Sequence, residues 1–227
     1  MDPTPISIEE RDEDDRLLSR TQMLDGVLHG CMQCFWPTGQ LQLDAQYQQG
    51  ELHGLLQLYD EESQLVQSSE YRNGQQHGLT RVFQRLRCVI EQRYLNGLLD
   101  GDAVSYDESG APSARLRYRA GLLEGPAQFF LHGQRVRQVS YRAGLLEGEA
   151  TDYDLEGTVV QTVVYLANLP HGLTRRYWPD GQLMEEQLYQ RGKPVAPPRR
   201  FDARGHLLEA KQAEAGLFAR LEKLVRG

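Results

Sequence analysis

Three groups of residues in this 227-residue chain are of types that could carry chemistry. Cys31 and Cys34 stand two residues apart with His29 close by, a spacing suited to binding one metal ion. A structural zinc site needs a second pair of ligands, and Cys88 is the one cysteine left. In an extended strand Cys31 and Cys34 also point to opposite faces. The expectation is that the chain binds no metal and no cofactor. A second group, His29, His53, His77, Asp100, Glu124, Glu147 and His171, recurs at a nearly constant interval. Such a ladder could pass protons or hold ions, but on strand pairs its members stand about 10 Å apart, too far to share either directly. The plain reading is a row of polar turn residues. The sharper one is that the consecutive acids Asp100, Glu124 and Glu147 face a basic partner. The third group is Arg115, Arg117 and Arg119, followed by Arg135 and Arg137. Alternation puts the first three on one face of a strand, where they could meet phosphoinositide headgroups or an acidic protein, or pair across strands with Asp and Glu. No nucleophile with a base and an orienting group is recognisable, nor a phosphate loop, nor a defined carboxylate pair. The chain is not expected to be an enzyme, and no catalytic residue is assigned.

What positions these residues is a repeat. Residues 118–125 (Tyr-Arg-Ala-Gly-Leu-Leu-Glu-Gly) recur almost verbatim at 141–148, twenty-three residues later. Along the chain the pattern Tyr-x-x-Gly-x-x-x-Gly places its first glycine at Gly26, Gly50, Gly74, Gly97, Gly121, Gly144 and Gly192, with Asn168 as the exception. Asn tolerates positive φ better than other non-glycine residues. The second glycine is Gly30, Gly54, Gly78, Gly101, Gly125, Gly148 and Gly172, replaced by Ala196 in the last copy. One aromatic column is Tyr47, Tyr71, Tyr94, Tyr118, Tyr141, Tyr165 and Tyr189. The other is Phe35, Tyr59, Phe83, Tyr106, Phe130, Tyr153, Tyr177 and Phe201. The two columns hold fifteen of the seventeen Phe and Tyr residues, which chance does not produce. Both sets are read as structural, the rings forming a core ladder.

Each unit reads as a β-hairpin. Alternation is clearest at Leu41, Leu43, Ala45 and Tyr47 against Gln42, Asp44, Gln46 and Gln48. Turn signals such as Trp36-Pro37-Thr38-Gly39 and Asp107-Glu108-Ser109-Gly110 separate the strands. Where the period falls from 24 to 23, the missing residue lies in the hairpin arm or its turn. The fold expected is all-β: a tandem array of about eight units forming an elongated antiparallel sheet, with a C-terminal capping helix. Residues 1–15 read as an acidic mobile tail, 16–206 as the array and 207–227 as an amphipathic helix that caps the array or docks on a partner. Leu217, Phe218, Leu221, Leu224 and Val225 form that helix's apolar face.

The net charge is −7, and the repeat body carries −7 between an acidic start and a basic end. That balance disfavours direct nucleic-acid binding and suits a basic protein partner. The N-terminus lacks a signal-peptide pattern and no run of about 18 apolar residues exists. With three cysteines, an odd number, a cytoplasmic location is expected.

The repeated Tyr-x-x-Gly-x-x-x-Gly segments, the following aromatics and turns such as Tyr177-Trp178-Pro179-Asp180-Gly181 resemble the MORN-repeat-variant family of bacteria, over roughly residues 23–207. Members are commonly classed as antitoxin-like or immunity-like. The resemblance implies a hairpin array used for binding, with no catalytic residues to carry over. It points to an immunity protein that occludes the active site of a cognate toxin or effector, possibly a basic domain. The alternative it leaves is a scaffold that tethers proteins or membranes through the arginine strip, the one reading that involves membrane association.

Overall fold

The structure is a computed structural model that describes residues 4–208. Backbone contacts divide it into two compact units, Met1–Pro112 with Tyr118–Gly121, and Ser113–Arg117 with Leu122–Gly227. The first unit contains β1 (Ile6–Arg11), β2 (Leu17–Leu24), β3 (Val27–Phe35), β4 (Leu41–Gln48), β5 (Glu51–Tyr59), β6 (Leu65–Arg72), β7 (Gln75–Gln84), β8 (Arg87–Leu95) and β9 (Leu98–Tyr106). β10 (Pro112–Arg119) contributes residues to both. The second unit continues with β11 (Leu122–Leu123), β12 (Gly125–Leu131), β13 (Gln134–Arg142), β14 (Leu145–Leu146), β15 (Gly148–Tyr153) and β16 (Val159–Leu166). It ends with β17 (Leu169–Tyr177), β18 (Leu183–Gln190), β19 (Lys193–Pro194), β20 (Arg199–Phe201) and β21 (Leu207–Leu208). In each unit the strands form an open antiparallel sheet of sequential hairpins. No helix occurs among the described residues, so none is long and apolar enough to cross a membrane.

The first-glycine positions are where the chain reverses. Gly121 has φ of 82° and the preceding Ala120 has 48°, two successive left-handed residues that define the tight turn matched to strand twist. Asn168 takes the same role at φ 69°, after Ala167 at 50°. Its side chain recovers the cost. Asn168 Oδ1 accepts the Leu146 N–H at 2.7 Å while Asn168 N–H donates to the Leu146 carbonyl at 3.1 Å.

The opposite turns close differently. In residues 107–110 the Gly110 N–H donates to the Asp107 carbonyl at 3.0 Å, and Asp107 Oδ1 accepts the N–H groups of Ser109 and Ala111. This is a type I turn followed by one left-handed residue, Gly110 at φ 84°. The 23-residue periods lie in the turn itself. Arg85-Leu86 and His132-Gly133 form two-residue turns with both φ values positive. Register shifts just before Phe35, Tyr59, Phe83, Phe130, Tyr153 and Tyr177, where the partner strand carries one extra residue as a bulge.

Burial is greatest at small residues. Ala45, Ser69, Thr80 and Ala103 are buried in the first unit, and Ala127, Val139 and Ala150 form a cluster in the second. Tyr141 and Tyr165, both half-buried, pack against that cluster, so these rings meet a floor of small side chains. Large residues at the floor would lift the rings off the sheet. At the end of the second unit, Val195 and Ala196 fold onto Leu173 and Leu188 instead.

The N-terminal segment differs from the expected mobile tail. Residues 6–11 are strand β1, in register with β2 from Ile6↔Met23 to Glu10↔Ser19. The acids find cations nearby: Glu9 pairs with Arg11 and Arg20 at 2.9 Å each, and Asp12 with Arg16 at 2.7 Å. At the other end, Leu207 and Leu208 pair with Phe201 and Arg200 as a short hairpin rather than opening a helix. The rest of the expected helix lies outside the described residues.

Candidate functional site

The polar ladder is placed by the second-glycine segments and joins each turn to the next. Asp100 Oδ2 accepts the Ala120 N–H at 2.9 Å, Glu124 Oε2 the Ala143 N–H at 2.8 Å, and Glu147 Oε2 the Ala167 N–H at 3.2 Å. His171 Nδ1 takes the Arg191 N–H at 3.4 Å. In each case the donor is the first left-handed residue of the next reversing turn. His53 and His77 use a ring nitrogen against Asn73 Oδ1 and Asn96 Oδ1, at 3.3 and 3.1 Å. The acids therefore touch backbone one repeat on, never one another. All three are half-buried, so the structure spends part of their acceptor capacity on turns.

The glycines next to the ladder fall into two kinds. A Cβ on Gly78 would stand 3.0 Å from the Cβ of Glu70, so only glycine lets the strands approach there. Gly125 and Gly148, in the two near-identical copies, would meet nothing within 4 Å and need glycine for their positive φ alone. There the strand breaks at Glu124 and Glu147, whose N–H groups donate to the carbonyls of Arg117 and Ser140.

Arg115, Arg117 and Arg119 are exposed. Arg115 lies over the Phe130 ring, 5.9 Å from its centroid, and Arg117 and Arg119 form no ion pair among the described residues. The expected cross-strand pairing occurs further on, where Arg137 meets Asp152 at 3.1 Å. Arg135 lies 4.7 Å from the Tyr153 ring centroid.

The three cysteines are half-buried free thiols. Cys31 Sγ donates to Asp44 Oδ1 at 3.1 Å, and burial first, then Asp44, pushes its pKa up to about 11. Burial also raises Cys34 and Cys88. At neutral pH such thiols stay protonated, and the thiolate is the form that ligates or attacks. Among the described residues no group of three or more His, Cys, Asp and Glu is arranged to hold a metal ion.

Two of the concavities among the described residues hold part of the ladder or a buried hydroxyl. A shallow cleft of about 640 Å³ in the first unit is lined by His53, Tyr71, His77, Arg93, Tyr94 and Asp100, gathering part of the ladder with its flanking tyrosines. A second, of about 500 Å³ in the second unit, is lined by Glu149, Thr151, Tyr153, Thr162 and Tyr177. The Thr162 hydroxyl is buried there without a hydrogen-bond partner. Sequence reasoning missed this second cleft. Thr162 looks like any strand threonine until pairing with Thr151 and the neighbouring rings bury it.

Residues 28–49 and 170–191 match the family described as MORN repeat variant. No curated protein matches the chain. Among solved structures, two of the S. aureus protein TarM are similar in part. One, a mutant in complex with Fondaparinux, alpha-GlcNAc-glycerol and UDP, is 15% identical over 41% of this chain and 19% of that one, with a TM-score of 0.31. The other is 16% identical over 42% of this chain and 19% of that one, with a TM-score of 0.30. The chain spans about a fifth of the length of these structures.

Proposed function

We propose that this chain is a protein-binding repeat array, and that it acts as an immunity protein in the cytoplasm, neutralising a cognate toxin by covering its active site. The observation that carries the binding reading is a row of exposed leucines in the second unit. Leu122, Leu145 and Leu169 each follow the first-glycine position of a turn, and their exposures are 52%, 43% and 48%. Leu166 beside them is 47% exposed. Single exposed apolar residues are ordinary, but a row repeated turn after turn is the kind of surface a partner covers. The acidic body adds a preference for a basic partner. The narrower assignment to toxin neutralisation rests on the resemblance to MORN-repeat-variant proteins, to which two segments of the chain match.

The test is capture from the native host with the whole chain as bait, followed by co-expression. The expected result is one dominant partner, toxic when expressed alone and harmless beside this chain, with Leu122→Asp and Leu145→Asp weakening capture. A dominant partner that is not toxic would remove the immunity reading and keep the binder. Failure to capture any specific protein would overturn both.

A second reading, a scaffold at an anionic membrane, draws on the exposure of Arg117 and Arg119 without ion pairs among the described residues. It predicts binding to phosphoinositide-containing liposomes that weakens when Arg115, Arg117 and Arg119 are neutralised. The acidic body opposes it.

A further inference from the structure

In the second unit three rings of the column Phe130, Tyr153, Tyr177 and Phe201 receive guanidinium groups. Arg115 lies over Phe130, Arg135 over Tyr153 and Arg199 over Phe201, with centroid distances of 5.9, 4.7 and 5.6 Å. Tyr177 belongs to the same column and, with Tyr153, walls the 500 Å³ cleft. The lining of that cleft includes a carboxylate, Glu149, and no cation. Glu149 is exposed and forms no ion pair among the described residues. On the floor, Thr162 is 6% exposed and its Oγ1 has no hydrogen-bond partner. A buried hydroxyl left unpaired costs stability.

We propose that the cleft between Tyr153 and Tyr177 receives an arginine side chain of the protein partner. The guanidinium lies against the Tyr177 ring, which carries no arginine of this chain among the described residues, and pairs with Glu149. Arginine fits better than lysine because its planar head stacks on rings while its edge still presents several N–H donors. The same column already accepts that group three times within this chain. The inference rests on the reading of the chain as a protein binder and names the chemistry of one contact.

The probe is N-acetyl-L-arginine N-methylamide, titrated into the full chain and followed by NMR at the Thr162 methyl and the Tyr153 and Tyr177 rings. The citrulline analogue serves as the neutral isostere. Saturable shifts are expected with arginine, with binding by citrulline roughly tenfold weaker. Glu149→Gln should weaken the arginine probe by about fivefold. Absence of saturable shifts, equal binding of citrulline, or unchanged binding to the Glu149→Gln protein would overturn the proposal. A failed titration leaves the partner-capture experiment untouched. A successful one beside an empty capture would keep the cleft and remove the protein partner.

Discussion

At the Tyr-x-x-Gly edge of each hairpin the turns are bonded to one another, whereas at the opposite edge each turn is largely closed on itself. Gly121 N–H donates to the Leu99 carbonyl at 2.8 Å, Gly144 N–H to Leu123 at 2.8 Å, and Gly192 N–H to Pro170 at 2.8 Å. The side chains of Asp100, Glu124, Glu147 and His171 add a second bond from one repeat to the next. Across the sheet, Asp107, Asp154 and Asp202 bond to N–H groups two and four residues ahead in their own turns. The exceptions are Trp36 and Trp178, whose indole N–H reaches the carbonyls of Tyr59 and Phe201, and Arg87, whose guanidinium donates to the Glu108 carbonyl of the next turn. An edge bonded between repeats must keep its length in every repeat. An edge bonded within turns can change length, which is why the residue lost in the shorter periods is lost there.

Replacing one glycine on each edge separates the two most sharply. Gly172 has φ of 118°, and an added Cβ would stand 3.2 Å from Val164 Cβ. Gly172→Ala is expected to cost roughly 2–3 kcal/mol, from strain and collision together. Gly157, in an opposite-edge turn, has φ of 88° with nothing within 4 Å of the added atom. Gly157→Ala should cost about 1 kcal/mol, from backbone strain alone. Denaturant titration of both proteins measures the difference. Equal losses would break the distinction.

The bond between repeats can be cut without touching backbone. Glu124→Ala removes the acceptor of the Ala143 N–H and should cost about 1 kcal/mol. Hydrogen exchange at Ala143 and Gly144 should quicken well before exchange at Gly157 does. Glu124→Gln keeps an acceptor oxygen and should recover most of the loss.

The contrast between edges was partly legible from the sequence. Constant spacing between the first and second glycines marked one edge as rigid, and the Asn168 exception pointed to a left-handed residue. What could not be read was the residue before it. Gln49, Ala120, Ala143 and Arg191 all sit at positive φ, and nothing in those side chains announces it. Only the two-residue turn forces them there. Asp100, Glu124 and Glu147 were visible as a row, but their acceptors look the same whether they face a partner or a neighbouring turn. At the acidic start, charge density masks the alternation of Ile6 and Ile8, which are 62% and 46% exposed on β1. The cleft at Thr162 had no sequence signal, since burial there depends on which strands pair.

A change on the opposite edge should improve the fold. Leu86 is 72% exposed at φ 63° in a two-residue turn, and the preceding Arg85 is at 49°. A left-handed non-glycine residue costs roughly 1–2 kcal/mol, while glycine loses about 0.5–1 kcal/mol more unfolded-state entropy. Leu86→Gly should therefore stabilise by roughly 0.5–1 kcal/mol, read as a higher denaturant midpoint with unchanged slope. A destabilised variant would mean that the exposed leucine is held by contacts and the turn is not closed on itself.

Acid should find the smallest difference, at the last opposite-edge turn. The His206 N–H, then the Arg204 N–H and the His206 ring, hold the Asp202 carboxyl below its ordinary value of 3.8. Because the folded pKa is the lower one, the turn's stability is present above 3.8 and is lost as pH falls through that lowered value. The amides of Arg204 and His206 should shift with a midpoint under 3.8, while those of Gly97 and Gly192, in turns met by His77 and His171 and not by a carboxylate, hold their positions through the same transition. Bonds closed within one turn let it open alone. If the Gly97 and Gly192 amides moved with the same midpoint, the two edges would be one cooperative system and the division between them would fail.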